Sequence, residues 1–138
     1  MRMLVLGAGL QGSACAYDLL QNSRVERVVL ADMRLDHLPE FIERYRNDAR
    51  LELRQLDARD TAALRTIMDG VDACMNALPY YFNLDVSRTA VEAGVHCCDL
   101  GGNTAIVFDQ LKLHDAATVA NVSVIPDCGL APGMVNIL

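Results

Sequence analysis

The sequence predicts an α/β fold, a doubly wound parallel sheet of six strands in the order 3-2-1-4-5-6 with helices on both faces, and two observations carry that prediction. Short apolar or β-branched runs alternate with amphipathic stretches along the chain, and a G-x-G-x-x-G loop at residues 7–12 follows the first run and opens the first helical stretch. Strict alternation of strand and helix calls for parallel strands joined by right-handed crossovers, and sheets of this kind reverse direction beside their first strand to give the stated order.

The elements follow in turn. Met3–Leu6 reads as the first strand, with a helix from about Leu10, and Val28–Ala31 as the second. Leu38, Phe41, Ile42 and Tyr45 then fall at i, i+3, i+4 and i+7, one face of a helix. Leu51–Leu56 is the third strand, and Asp60 is a good N-cap for a helix carrying Leu64, Ile67, Met68 and Val71. Residues 71–77 read as the fourth strand, followed past Pro79 by a helix with Val86, Thr89, Ala90 and Ala93 on one face and Gly94 as a left-handed C-cap. Residues 95–98 form a short fifth strand, Leu113, Ala116, Ala117 and Ala120 mark the next helix, and residues 122–125 the sixth strand.

Length and composition set bounds. A chain of 138 residues is the size of one domain, and folding at that size removes roughly two-thirds of the extended chain's surface from water. A hydrophobic fraction of 52% and a charged fraction of 22% are those of a globular protein. No apolar run approaches the roughly 18 residues that span a bilayer, and residues 3–6 are too short for a signal-peptide core. Five cysteines without a paired spacing fit reduced thiols. A cytoplasmic protein without membrane partners is therefore expected, and a homo-oligomer is compatible with the sequence. The net charge of -6 argues against nucleic acid, which needs clustered Lys and Arg to replace counterions. A dinucleotide makes no such demand, because backbone N–H groups and a helix N-terminus hold its pyrophosphate.

The glycine loop carries the chemistry. Gly7 permits the tight turn, Gly9 leaves room for a pyrophosphate against the backbone, and Gly12 lets the first helix approach the sheet. Asp32 lies about 20 residues beyond Gly12 at the end of the second strand, where a carboxylate accepts hydrogen bonds from the adenosine ribose. Motif, strand, helix and distant acid together identify a Rossmann dinucleotide-binding domain. A carboxylate there repels the 2'-phosphate of NADP, so NAD is favoured, with NADP as the alternative. Arg34 works against that preference if it swings to a 2'-phosphate, and has no bearing on it if it is a solvated loop charge. Asp57, at the end of the third strand, suits either contact with adenine or simple turn formation. Asn76-Ala77-Leu78-Pro79 ends the fourth strand at the crevice where the nicotinamide would run. The aromatic run Tyr80, Tyr81 and Phe82 either stacks beside it or covers the sheet.

With Asn76-Ala-Leu-Pro-Tyr80, the segment Gly94-Val-His-Cys-Cys-Asp-Leu-Gly-Gly-Asn103 and Asp127-Cys-Gly-Leu-Ala-Pro-Gly133, the chain resembles the saccharopine dehydrogenase family, including its lysine 6-dehydrogenase-like members. The resemblance implies hydride transfer between NAD(P) and the carbon–nitrogen bond of an amino acid, lysine or a saccharopine-like compound. It implies that Gly7, Gly9, Leu10, Gln11 and Gly12 hold the pyrophosphate, Asp32 the ribose, and Asp57 and Ala58 the adenine side, with Asn76 to Tyr80 along the nicotinamide. Asp99, Gly101 and Pro132 would lie near the substrate. In the family a stretch like residues 127–133 leads into a substrate domain. Residues 1–128 are thus expected to form the cofactor domain and residues 129–138 the start of a truncated substrate domain, with Met134 to Leu138 as the first turn or two of a helix. Such a piece is expected to bind cofactor without turnover. Asp99 and Asp127 are the candidates for proton transfer, each equally readable as a loop carboxylate.

Other readings carry less. His96, Cys97, Cys98 and Asp99 include metal-ligand types, yet alternation along a strand sends neighbours to opposite faces, so no metal is expected. The main rival function is a regulatory nucleotide-sensing domain of the potassium-transport type, which shares the glycine loop and distant acid but performs no redox step.

Overall fold

The computed structural model describes residues 1–137. Six parallel strands, β1 (Arg2–Leu6), β2 (Arg27–Asp32), β3 (Leu51–Gln55), β4 (Ala73–Asn76), β5 (His96–Asp99) and β6 (Val124–Ile125), form one sheet in the order β3-β2-β1-β4-β5-β6. The helices are α1 (Leu10–Gln21), α2 (Glu40–Glu43), α3 (Thr61–Ile67), α4 (Asn83–Ala93), α5 (Thr104–Leu111) and α6 (His114–Ala120). The predicted architecture is the observed one.

Alternation along the strands builds a core on each face. On β1, Leu4 and Leu6 join Ala31, Leu64, Met68, Val86 and Ala90 beneath α3 and α4, while Val5 joins Leu20, Val28, Leu30 and Ile42 beneath α1 and α2. Cys97 and Cys98 obey the same rule: Cys97 is buried in the first cluster, and the Cys98 thiol faces the Met75 sulfur at 3.8 Å on the other face. All five cysteines are free. Burial pushes the Cys98 thiol up to about 12, and a hydrogen bond with Cys97, with burial, raises Cys74 well above its ordinary value.

The caps stand where the sequence placed them. Asp60 accepts the Ala63 N–H at 3.0 Å, and Gly94 ends α4 at φ 71° and ψ 33°. Two helices differ from expectation. After Glu43 the hydrogen bonds tighten to i→i−3, Tyr45 to Ile42 and Arg46 to Glu43, so the helix is one turn long. The shorter period still brings Leu38, Phe41 and Tyr45 against the core cluster that contains Ile42, which is why the apolar spacing reads as a longer helix. The second difference is α5, which the periodicity did not mark. Asn103 caps it through the Ala105 and Ile106 N–H groups at 3.0 and 3.3 Å, but Ala105, Ile106, Val107, Phe108 and Leu111 leave no clean polar face. The fourth and sixth strands are also shorter than predicted, β6 holding two residues. Beyond β6, Met134–Asn136 is a single 3-10 turn; the predicted helix start extends to Leu138, which lies outside the described residues.

Strand register aligns the carboxyl ends: Leu6 pairs with Ala31 and Asn76, Asn76 with Asp99, and Cys98 with Ile125. The loops that follow them therefore meet at one edge of the sheet. Leu64 is fully buried while Phe108 is 62% exposed. Leu64→Ala should lower the unfolding free energy in urea by about 2–5 kcal/mol, and Phe108→Ala should change it by no more than about 0.5 kcal/mol; similar losses for both would contradict this account of the core.

Candidate functional site

The first of these loops is set by steric limits. Gly7 leaves β1 at φ 97°, where L side chains are strained, and its N–H donates to the Ala31 carbonyl at 2.8 Å. A Cβ on Gly12 would lie 1.8 Å from the Gly7 carbonyl oxygen and 3.3 Å from the Ala77 Cβ, whereas one on Gly9 would meet nothing within 4 Å. The helix is thus pressed against the sheet at Gly12, and the loop is open to solvent at Gly9. Among the described residues no side chain caps α1, and its first turn contains no acidic residue. The first N–H groups of a helix have no intrahelical acceptor, so those of Leu10, Gln11 and Gly12 are left for an anion. A diphosphate fits this cradle.

Asp32 fastens the loop from the neighbouring strand. Its Oδ2 accepts the Ala8 N–H at 2.7 Å and its Oδ1 accepts the Arg34 N–H at 2.9 Å. Each carboxylate oxygen has a further lone pair, and the side chain remains half-exposed on a cavity of about 580 Å³. Asp32, Arg34, Ala58, Leu78 and Pro79 all line it, with Leu6, Ala31 and Leu56 from strand ends. Met33, Arg59, Tyr81 and Phe82 complete the wall. Of these, Arg59 had escaped the sequence reading. Its guanidinium grips Asp57 at 2.7–3.1 Å, and its backbone N–H donates to the same carboxylate at 3.0 Å. Asp57 therefore makes a turn and orients Arg59, and the arginine holds its carboxyl below the usual range. The Asp-x-Arg spacing was the available signal.

Residues placed along the nicotinamide side divide in two. Leu78 and Pro79 reach the cavity, and the Ala77 backbone packs under Gly7, whose Cβ would stand 3.0 Å from the Ala77 oxygen. Asn76, expected to line the crevice, instead turns inward and is 1% exposed. Its Nδ2 donates to Asn83 Oδ1 at 2.9 Å and its Oδ1 accepts the Leu78 N–H at 3.2 Å. Tyr80 is 44% exposed, and its Cβ would lie 3.1 Å from one built on Gly102.

The two candidate proton-transfer residues touch each other but differ in their surroundings. Asp99 is 1% exposed, and its carboxylate accepts from Gly101 N at 2.7 Å, Asp127 N at 3.1 Å, Asn83 Nδ2 at 3.0 Å and Gln110 Nε2 at 2.6 Å. Four donors from the protein leave no face turned to a substrate. Asp127 is half-buried at φ 62° beside Gly101, and Pro132 is exposed. Among the described residues no group of three His, Cys, Asp or Glu side chains could hold a metal ion, and no helix is long and apolar enough to cross a membrane.

Comparison with known proteins bears on the fold and the family. The family described as "Saccharopine dehydrogenase NADP binding domain" matches residues 3–125. Among solved structures, the apo saccharopine dehydrogenase (L-Glu forming) from Saccharomyces cerevisiae superposes with a TM-score of 0.76 at 21% identity, over 97% of this chain and 28% of that one. The Citrobacter sp. triphenylmethane reductase complexed with NADP(H) superposes at 0.63 with 19% identity over 90% of this chain and 48% of that one. The dTDP-glucose dehydratase from Streptomyces venezuelae with NAD bound gives 0.61 at 24% identity over 71% and 38%. At these identities the superpositions show a shared fold; the family match goes further and does not favour the nucleotide-sensing alternative. The chain spans 28% of the yeast enzyme it resembles, and over residues 3–125 it belongs to the saccharopine dehydrogenase NADP-binding domain family.

Proposed function

We propose that this chain is the cofactor-binding part of an oxidoreductase that moves hydride between a nicotinamide dinucleotide and the carbon–nitrogen bond of an amino acid of the lysine or saccharopine kind. The observation that carries the reading is the pairing of an open, uncapped helix start at Gly9 with a carboxylate, Asp32, that is tied to the same loop and faces the adjoining cavity. Gly7, Gly9, Leu10, Gln11 and Gly12 hold the diphosphate, Asp32 the ribose hydroxyls, Ala58 and Arg59 the adenine side, and Leu78 to Tyr80 the approach to the nicotinamide. When bound, the dinucleotide supplies the hydride chemistry. The protein's part is to orient it and exclude water.

NAD is the preferred form, because a 2'-phosphate would meet the Asp32 carboxylate, whose inner lone pairs are already committed to Ala8 and Arg34. Arg34 and Arg59 line the same cavity, so the two cofactors are a direct test: in calorimetric titration NADH should bind at least about tenfold more tightly than NADPH, a difference of about 1.4 kcal/mol, and the opposite order would refute the role of Asp32.

Four donors saturate Asp99, which leaves Asp127 as the candidate for proton transfer within residues 1–138; the chain spans 28% of the yeast enzyme it resembles, and turnover is read as needing the rest of such an oxidoreductase. Residues 1–138 should bind NADH yet produce none from NAD and lysine or saccharopine; amino-acid-dependent absorbance at the NADH band would contradict it. The glycines separate fold from function. Gly9→Ala should leave the unfolding free energy within about 0.5 kcal/mol while weakening NADH by about tenfold or more. Gly12→Ala should cost about 1–3 kcal/mol of stability through overpacking. Unchanged NADH affinity in Gly9→Ala would remove the diphosphate from this loop.

A further inference from the structure

A chain of buried polar side chains runs beneath the loops on the other half of the crevice. Asn76, Asn83, Ser87, Asp99 and Gln110 are each 1–2% exposed, and they come from β4, α4, β5 and α5. Burying polar groups is costly unless they are hydrogen-bonded, and here almost every one is. Asp99 sits at the centre. Through Oδ1 it accepts Gly101 N from the loop after β5 and Asp127 N from the loop after β6, at 2.7 and 3.1 Å. Through Asn83, which donates to it at 3.0 Å, it reaches Asn76 and then the Leu78 N–H in the loop after β4. Gln110 Nε2 holds Oδ2 at 2.6 Å and Ser87 Oγ at 2.8 Å. The Asp99 backbone adds a further tie, its carbonyl accepting the Cys128 N–H at 2.8 Å.

We propose that Asp99 is a positioning residue, the buried hub that sets the three loops after β4, β5 and β6 and thereby the nicotinamide end of the crevice. The adenosine end takes its polar groups from the glycine loop, Asp32 and the loop after β3, while Leu78, Pro79, Tyr81 and Phe82 after β4 supply apolar wall there and Ala77 packs under Gly7. Loss of the hub frees three loops at one end of a bound dinucleotide and leaves the polar contacts of the other end, at the glycine loop, Asp32 and Arg59, in place. The inference rests on the dinucleotide reading given above.

ADP-ribose, which has the adenosine and diphosphate but no nicotinamide, separates the two ends. NADH and ADP-ribose would be titrated into the unchanged protein, Asp99→Ala and Asn83→Ala, with the fluorescence of bound NADH recorded and melting temperatures checked alongside. In both variants ADP-ribose affinity should stay within about twofold, while NADH weakens by about tenfold or more and loses fluorescence enhancement. Asn83→Ala keeps the bonds from Gly101, Asp127 and Gln110 to Asp99 and removes the relay to Asn76 together with the Asn83 bonds to Asp99 and to the Gly101 carbonyl, so it carries the test should Asp99→Ala fail to fold. Equal weakening of both ligands, or unchanged NADH affinity, would overturn the proposal. If the unchanged protein bound NADH but not ADP-ribose, the division of the crevice would be wrong; if it bound neither, the dinucleotide reading itself would fall.

Discussion

The site depends on how little room there is at Gly12. With no Cβ, α1 starts directly on the Gly7 carbonyl, and the next side chain beneath it is the small Ala77. That approach points the free N–H groups of the helix start across the carboxyl edge of the sheet, beside the ends of β1 and β4. Positive potential from a helix terminus falls off within about one turn, so the placement of this start decides where an anion can bind. Asp32 then fixes the loop by taking the Ala8 N–H. One carboxylate serves the loop and the cavity at once.

Register extends that arrangement across the sheet. Because the strands are parallel and their ends level, the residues closing them sit in a row, and their side chains have different tasks according to which way they point. On the β1 to β3 side the row opens into a cavity with Asp32, Arg34 and Arg59 at its wall. On the β4 to β6 side Asn76 and Asp99 point inward and tie loops together. The crevice thus has an open, charged half and a half organised from below.

The first half was legible in the sequence and the second was not. Gly7, Gly9, Gly12 and Asp32 stand at fixed spacings because each answers a local need of the turn, and Asp60 and Gly94 read as caps for the same reason. Asn76, Asn83, Asp99 and Gln110 are spread over 35 positions and meet only through the pairing of β4 with β5 and the packing of α4 on α5. A polar residue at a strand end, such as Asp99, reads from sequence as facing solvent or substrate. The helix α5 leaves no periodic signal because its apolar residues surround the axis, and α2 reads as longer than it is because tight turns preserve a helix-like spacing of Leu38, Phe41 and Tyr45.

The Rossmann architecture and the family are common ground for chains of several activities, and what distinguishes this one lies in the residues at the crevice. The most direct measurement is an NMR titration of isotopically labelled protein with NADH. The amides of Ala8, Gly9, Leu10, Gln11 and Gly12 should shift first and furthest, with Arg34 and Ala58 following. Shifts confined to other surfaces, with the residues 8–12 amides unmoved at saturation, would contradict the account.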